Sequence, residues 1–426
     1  MQRSLGVIES ISLNTDVDTI TKTKPYFTMQ VLTGGLTNHI ARITFDKPLY
    51  EVLQTHATNP DLLEKVGEAG NATWKSVVLK HAPPYIASDP SQAMSVDRQL
   101  IEKKALEVLN SREGTDGFRE LFVDEQGASR EGNTIIQIPK LIWHDRDRNV
   151  LWIEDLGRMR TLSEILLDPV GLSDPNRRLG EESNMGAQIQ QVAADLGSFL
   201  ARLYKATTNP PSHLLDDLKS SSNSSGINEY LANMVLENLQ RPEAEVSSAE
   251  VEVLAERVRV GLSESEDGDG GVDEVCLGMV DFWPESVLVE LGEGSANPRC
   301  GLVDWEYFGP SNAASELGMF LAHLHVHMLN TKSSSETKER IQLFAGAMFQ
   351  AYAQSQPETD WKPSNRFKRS ALLSHGRELV NGVAMYHAKL DDTAKARILK
   401  AGIRSLRASG ELEAGVDLGL LSVLRS

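Results

Sequence analysis

Asp281, in the run DFWPES, and Asp304, in VDWE, flank a stretch that reads as two short apolar strands, residues 287–289 and 300–303, joined by a turn of Gly, Ser, Asn and Pro. An antiparallel hairpin sets the start of its first strand beside the end of its second, so the two carboxylates are expected to share one cleft. Magnesium takes hard oxygen ligands and leaves positions for phosphate oxygens, and paired carboxylates suit that ion. A second pair lies upstream. Lys80 ends the apolar run WKSVVLK, and Glu102 sits beside Ile101 on the helix expected over residues 95–109, at the edge of its core-facing side. A strand lysine pinned by a helix carboxylate keeps its ammonium aimed at nucleotide phosphates. A third feature is GGLTN. Gly34 and Gly35 lack a Cβ, so backbone can approach a phosphate there, with Thr37 and Asn38 adding hydrogen bonds. The same five residues also read as an ordinary hairpin turn.

The elements that must carry these residues follow from period and punctuation. Residues 26–45 alternate apolar and polar on either side of GGLTN, two strands about a turn, and residues 74–80 give a third. Leu100, Ile101, Ala105, Val108 and Leu109 form the inward stripe of the 95–109 helix. Strands are expected over 135–141 and 149–153, with residues 144–149 as their turn, ending in Glu154-Asp155-Leu156-Gly157. Helices then dominate: 161–167, 184–206 with Met185, Ile189, Val192, Leu196, Phe199 and Leu203 on one face, 311–329, 336–353, 367–388 and 391–408. The runs KSSSNSSG (219–226) and SESEDGDGG (263–271) read as a linker and an acidic loop. The second lacks the glutamate a calcium-binding EF-hand needs. His213 reads as a surface or capping residue. His323, His325 and His327 do not converge on one helix face, so no metal site is expected there. The fold class is α+β with two lobes, residues 1–156 binding nucleotide and residues 157–426 mostly helical, carrying the hairpin and a substrate groove.

Composition bounds the partners. The chain has 426 residues, 40% hydrophobic and 24% charged, enough for two cores. Its 43 Lys and Arg against 60 Asp and Glu give a net charge of −17, which argues against a nucleic-acid or anionic-membrane partner and leaves a cationic or neutral small molecule. No secretory apolar region opens the chain and no run reaches a membrane span, so the expected location is cytoplasmic. Cys276 and Cys300 read as buried, reduced thiols.

Taken in order, GGLTN, VVLK, the helix glutamate, IEDLG, MVDFWPESVLV and GLVDWEYFGP resemble the superfamily of aminoglycoside phosphotransferases, choline kinases and methylthioribose kinases. LKHAPPYIAS followed by MSVDRQLIEKKAL is especially similar to the last of these. The resemblance spans residues 31–325. It implies a protein-kinase-like two-lobed fold and transfer of the γ-phosphate of ATP, with Mg2+, to a hydroxyl of a small molecule. It implies that Asp281 orients or deprotonates that hydroxyl, that Asp304 binds metal, that Lys80 and Glu102 serve the phosphates, and that Glu154 to Leu156 line an adenine hinge. The chain departs from the pattern twice. Met279-Val280-Asp281 replaces His-Gly-Asp, so packing is expected to hold that loop. Ser286 stands where the superfamily carries a metal-binding asparagine, and its hydroxyl is a neutral ligand of shorter reach. Two readings follow: an active kinase, and a nucleotide-binding pseudokinase without turnover. The short stretch from Trp305 to Pro310 leaves no room for an ordered activation loop, which disfavours a protein substrate.

Overall fold

The computed structural model describes residues 21–24, 27–32, 35–56, 63–64, 66–67, 74–111, 135–168, 182–208, 210–221, 224–267, 275–292, 297–357, 360–385, 390–410 and 421–422. The chain divides into two compact units, Met1–Gly117 with Ile138–Gly157, and Phe118–Gln137 with Arg158–Ser426.

The first unit is built on an antiparallel sheet with strands in the order Thr21–Lys24, Phe27–Leu32, His39–Phe45, Ser76–His81, Val150–Glu154 and Leu141–Asp145. Period-two alternation sends Met29, Ala41, Ile43, Val77, Leu79 and Val150 into one core, closed by Leu49, Val52 and Leu53 of the helix Leu49–His56. The helix Arg98–Asn110 buries Ile101, Ala105, Leu106 and Leu109, and Gln99 Nε2 donates to the carbonyl of Lys80 at 2.8 Å, fixing helix to strand.

The second unit is mostly helical. The helices Glu182–Ala206 and Ser335–Gln354 pack together, as do Ala313–Leu329 with Asn365–Met385 and Asn365–Met385 with Asp392–Gly410. A buried cluster of Val235, Leu254, Val258, Ala322, Val326, Leu379, Val380, Ile398 and Leu406 joins the last group. Among these helices His375 is fully buried. Its Nε2 faces His325 Nδ1 at 3.2 Å and its Nδ1 faces Ser405 Oγ at 3.0 Å. Set into the helices are two small sheets. One carries Val287–Glu290 paired with Arg299–Leu302, flanked by Arg160–Thr161 and Ile135–Gln137. The other pairs Val275–Gly278 with Gly309–Asn312.

Three sequence expectations change. The 135–141 run is two pieces. Ile135–Gln137 pairs in parallel with Arg299–Gly301 in the second unit, and Leu141–Asp145 pairs with Val150–Glu154 in the first, with the turn confined to Arg146–Asn149. The serine-rich 219–226 run ends the helix Ser212–Ser221 and opens the helix Ser224–Leu239, with 222–223 outside the described residues. The acidic 263–271 run continues the helix Ser248–Asp267, its remainder also lying outside. Serine and acidic side chains at helix ends satisfy backbone groups there, so loop-like composition is also helix-end composition.

Candidate active site

In the first unit Lys80 and Glu102 meet as expected: Nζ lies 2.7 Å from Glu102 Oε2, with both residues buried at 3% and 2% exposure. A charge pair this deeply desolvated is held only by good geometry, and Glu102 is fully inside the helix–sheet contact rather than at its edge. Beside it the turn of GGLTN is clamped from below. The buried Arg98 donates Nε to Asn38 Oδ1 at 3.2 Å and Nη2 to the carbonyls of Thr37 at 3.0 Å and Pro83 at 2.9 Å. Asn38 Nδ2 in turn lies 3.0 Å from Thr37 Oγ1. A Cβ at Gly35 would stand 2.8 Å from the Asn38 carbonyl, so this tight turn needs glycine. Gly34 lies outside the described residues. At the end of Val150–Glu154, Glu154 exchanges hydrogen bonds with Lys140, its Oε2 accepting the Lys140 N–H at 3.1 Å and its own N–H reaching the Lys140 carbonyl at 2.9 Å. Leu156 is buried, and between them Asp155 takes a two-point ion pair from Arg42 at 2.8 and 2.9 Å.

In the second unit the hairpin does what its sequence promised. Val287 pairs with Leu302, and the Val303 N–H donates to the Ser286 carbonyl at 3.0 Å, so Ser286 and Asp304 are held at adjoining ends. The Asp281 carboxyl is pushed well above the usual carboxylate range by burial and by neighbouring negative charge, first Asp304, then Glu378, Glu306 and Glu316. The two aspartates therefore sense each other. Ser286 is 1% exposed and its Oγ has no hydrogen-bond partner. A buried, unsatisfied hydroxyl calls for a ligand or a water. Among the described residues no group of three or more His, Cys, Asp or Glu converges as a metal site. One or two carboxylates with a hydroxyl fit a magnesium ion that draws its other oxygens from phosphate and water.

The loop before Asp281 is held in a way the sequence did not reveal. Met279 is buried, as packing requires. The decisive contact is the buried Glu316 carboxylate, which accepts the Met279 N–H at 3.0 Å, the Val280 N–H at 2.9 Å and the Ser311 hydroxyl at 2.6 Å. Pairing of Gly278 with Gly309 brings Glu316 into reach, and a Cβ on Gly278 would come within 2.7 Å of its Cδ. Burial raises the Glu316 pKa, while those three hydrogen bonds and Arg377 oppose the rise. On the far side of Asp281, Phe282 is fully buried and stacks on Phe320 with centroids 4.6 Å apart. Between these anchors Val280 adopts φ +65°, and Asp304, just past the second strand of the hairpin, φ +72°. Aspartate tolerates that region, whereas a β-branched valine there costs about 1–3 kcal/mol. Trp283 tilts against His323 with centroids 5.4 Å apart, and His323 Nε2 lies 3.8 Å from Glu378 Oε2. The two cysteines are buried and free, and burial lifts the Cys300 thiol to about 12.

No family model matches the chain. It is 25% identical over 392 residues to a 4-hydroxytryptamine kinase of Psilocybe cyanescens, covering 87% of this chain and 95% of that one. It is 24% identical over 317 residues to a 4-hydroxytryptamine kinase of Psilocybe cubensis, covering 71% and 76%. Solved structures with a similar course include an amicoumacin kinase in a complex that holds AMP-PNP and Ca2+ (TM-score 0.46, 10% identity, 99% of this chain and all of that one). A Plasmodium vivax ethanolamine kinase is another (TM-score 0.45, 11% identity, 90% and 83%). The chain is thus similar in sequence, over most of its length, to two proteins named as 4-hydroxytryptamine kinases, in keeping with the resemblance its ordered motifs carry to the kinase-like small-molecule phosphotransferases.

Proposed function

We propose that the chain transfers the γ-phosphate of ATP to the hydroxyl of a small hydroxyaromatic amine. The observation that carries this reading is the pairing of Val287 with Leu302 and the Val303 N–H bond to the Ser286 carbonyl, which hold Ser286 and Asp304 at adjoining ends of one hairpin with Asp281 five residues before Ser286. Asp281 takes the proton of the acceptor hydroxyl as its oxygen attacks the γ-phosphorus. The bond from that phosphorus to the bridging oxygen breaks, and ADP leaves with the electron pair. Lys80, kept charged and oriented by Glu102, binds phosphate oxygens of the nucleotide, and the Gly35 turn with Thr37 and Asn38 covers them. Glu154 and Leu156 border the adenine. Asp304 and Ser286 would hold Mg2+, which when bound neutralises phosphate charge and offsets the repulsion that raises Asp281. Glu378 and Glu306, which add negative charge around Asp281, favour an acceptor that carries an ammonium group, in keeping with the substrate named for the two sequence relatives.

ADP release with Mg2+ and ATP tests the reading across 4-hydroxytryptamine, ethanolamine, choline, methylthioribose and an aminoglycoside. Turnover is expected with the hydroxyaromatic amine, and Asp281→Asn is expected to lower it at least ~10²-fold while nucleotide affinity holds. Background ADP release with every acceptor, equal in wild type and D281N, would instead assign the chain to nucleotide binding without turnover.

A further inference from the structure

Val280 is a residue whose backbone and side chain are at odds. Its φ of +65° lies in the left-handed region that suits glycine. Its N–H and that of Met279 are fixed by Glu316, contacts that involve main chain alone and that a glycine would make equally well. Val280 as a residue is 37% exposed, so it does not repay the strain by filling the core. It stands next to Asp281. Two residues beyond that aspartate, Trp283 is half-buried, with its ring tilted against His323. A strained, exposed apolar side chain beside the reacting group is explained by what docks on it.

We propose that Val280 is a specificity-determining residue, the apolar surface on which the ring of a planar aromatic acceptor rests while its hydroxyl is presented to Asp281. The inference rests on the kinase reading above and adds the residue that selects a flat ring over a polyol. A valine face gains contact with an aromatic plane and offers no hydrogen bond to a sugar. Removing one apolar side chain from such a contact costs about tenfold in affinity.

The test compares wild type with Val280→Gly and Val280→Ala. V280G relieves the backbone and is expected to melt about 2–4 °C higher, whereas V280A keeps the Cβ and loses only the β-branch, and is expected to gain less than V280G. Both are expected to raise the KM for 4-hydroxytryptamine about tenfold, with the KM for ATP moving less than twofold. An acceptor KM that stays level in both variants, in an enzyme that turns over, overturns the proposal and leaves the kinase reading standing. If wild type shows no turnover, titration calorimetry with 4-hydroxytryptamine separates the two ideas. Binding weakened about tenfold by V280G upholds the Val280 contact while the kinase reading falls, and no binding to wild type, or equal binding to both, overturns the contact.

Discussion

Glu316 shows how one carboxylate sets the position of another. It sits in the first turn of the helix Ala313–Leu329, where an acidic residue ordinarily complements the helix dipole, and its burial and three accepted hydrogen bonds give it a different task. Glu316→Gln puts an amide N–H against backbone donors. The variant is expected to lose about 10–10²-fold in kcat with little change in the KM for ATP, and about 1–3 kcal/mol of stability in urea titrations. Intact kcat in that variant would detach the loop geometry from the role proposed for Asp281. Spacing and turn chemistry were enough to pair Lys80 with Glu102 and to find the hairpin that Asp281 and Asp304 flank. Nothing local marks Glu316, because its partners are brought to it by the pairing of Gly278 with Gly309, a contact between segments on either side of the hairpin. The available signal was Gly278 itself, a glycine inside an apolar strand, which marks a close approach.

Among the elements, the strand Ser76–His81 and the helix Arg98–Asn110 form a unit whose buried ion pair can be dissected. Lys80→Met or Glu102→Leu alone strands one buried charge, and each is expected to cost about 3–5 kcal/mol. The double variant K80M/E102L is expected to restore most of that loss in urea denaturation and, on the proposed role of Lys80, not to restore turnover, since packing substitutes for the pair in stability but not as a charge for phosphate. A double variant as unstable as the singles would show that the loss comes from shape rather than stranded charge. Hairpin and helix were legible here because period two and the i, i+3, i+4 stripe are local properties. The split of the 135–141 run was not, because Ile135–Gln137 finds its partner in Arg299–Gly301, far along the chain. The turn of GGLTN was legible as a turn, while Arg98, which holds it from beneath, was hidden among the charges of its own helix.

At the scale of the whole molecule, both units carry histidines that burial keeps neutral. His81 is pushed down to about 4 by burial, His39 and Arg98, and His375 well below the usual value by burial, His325 and His323. In the unfolded chain each takes a proton near pH 6.5, while the folded chain does not. Stability is therefore lost as pH falls below 6.5, for His81 until about pH 4, where the folded form protonates too. The raised carboxyls of Asp281 and Glu316 act the other way, gaining protons in the folded state first. His375→Gln isolates one contribution. It is expected to melt below wild type at pH 7.5 because His325 and Ser405 lose their partner, and that gap is expected to narrow at pH 5. A gap that does not change with pH would mean that His375 is protonated alike in both states.

The placement of Ile135–Gln137 governs how the protein can be taken apart. The chain passes between its units after Gly117, after Gln137 and after Gly157, so no single scission yields two complete pieces. A fragment beginning at Arg158 would retain the hairpin of Val287–Glu290 and Arg299–Leu302 yet lack the strip that covers the outer margin of Arg299–Leu302. Its bared amides and carbonyls would invite another molecule to pair there, and a recombinant fragment of that kind would self-associate.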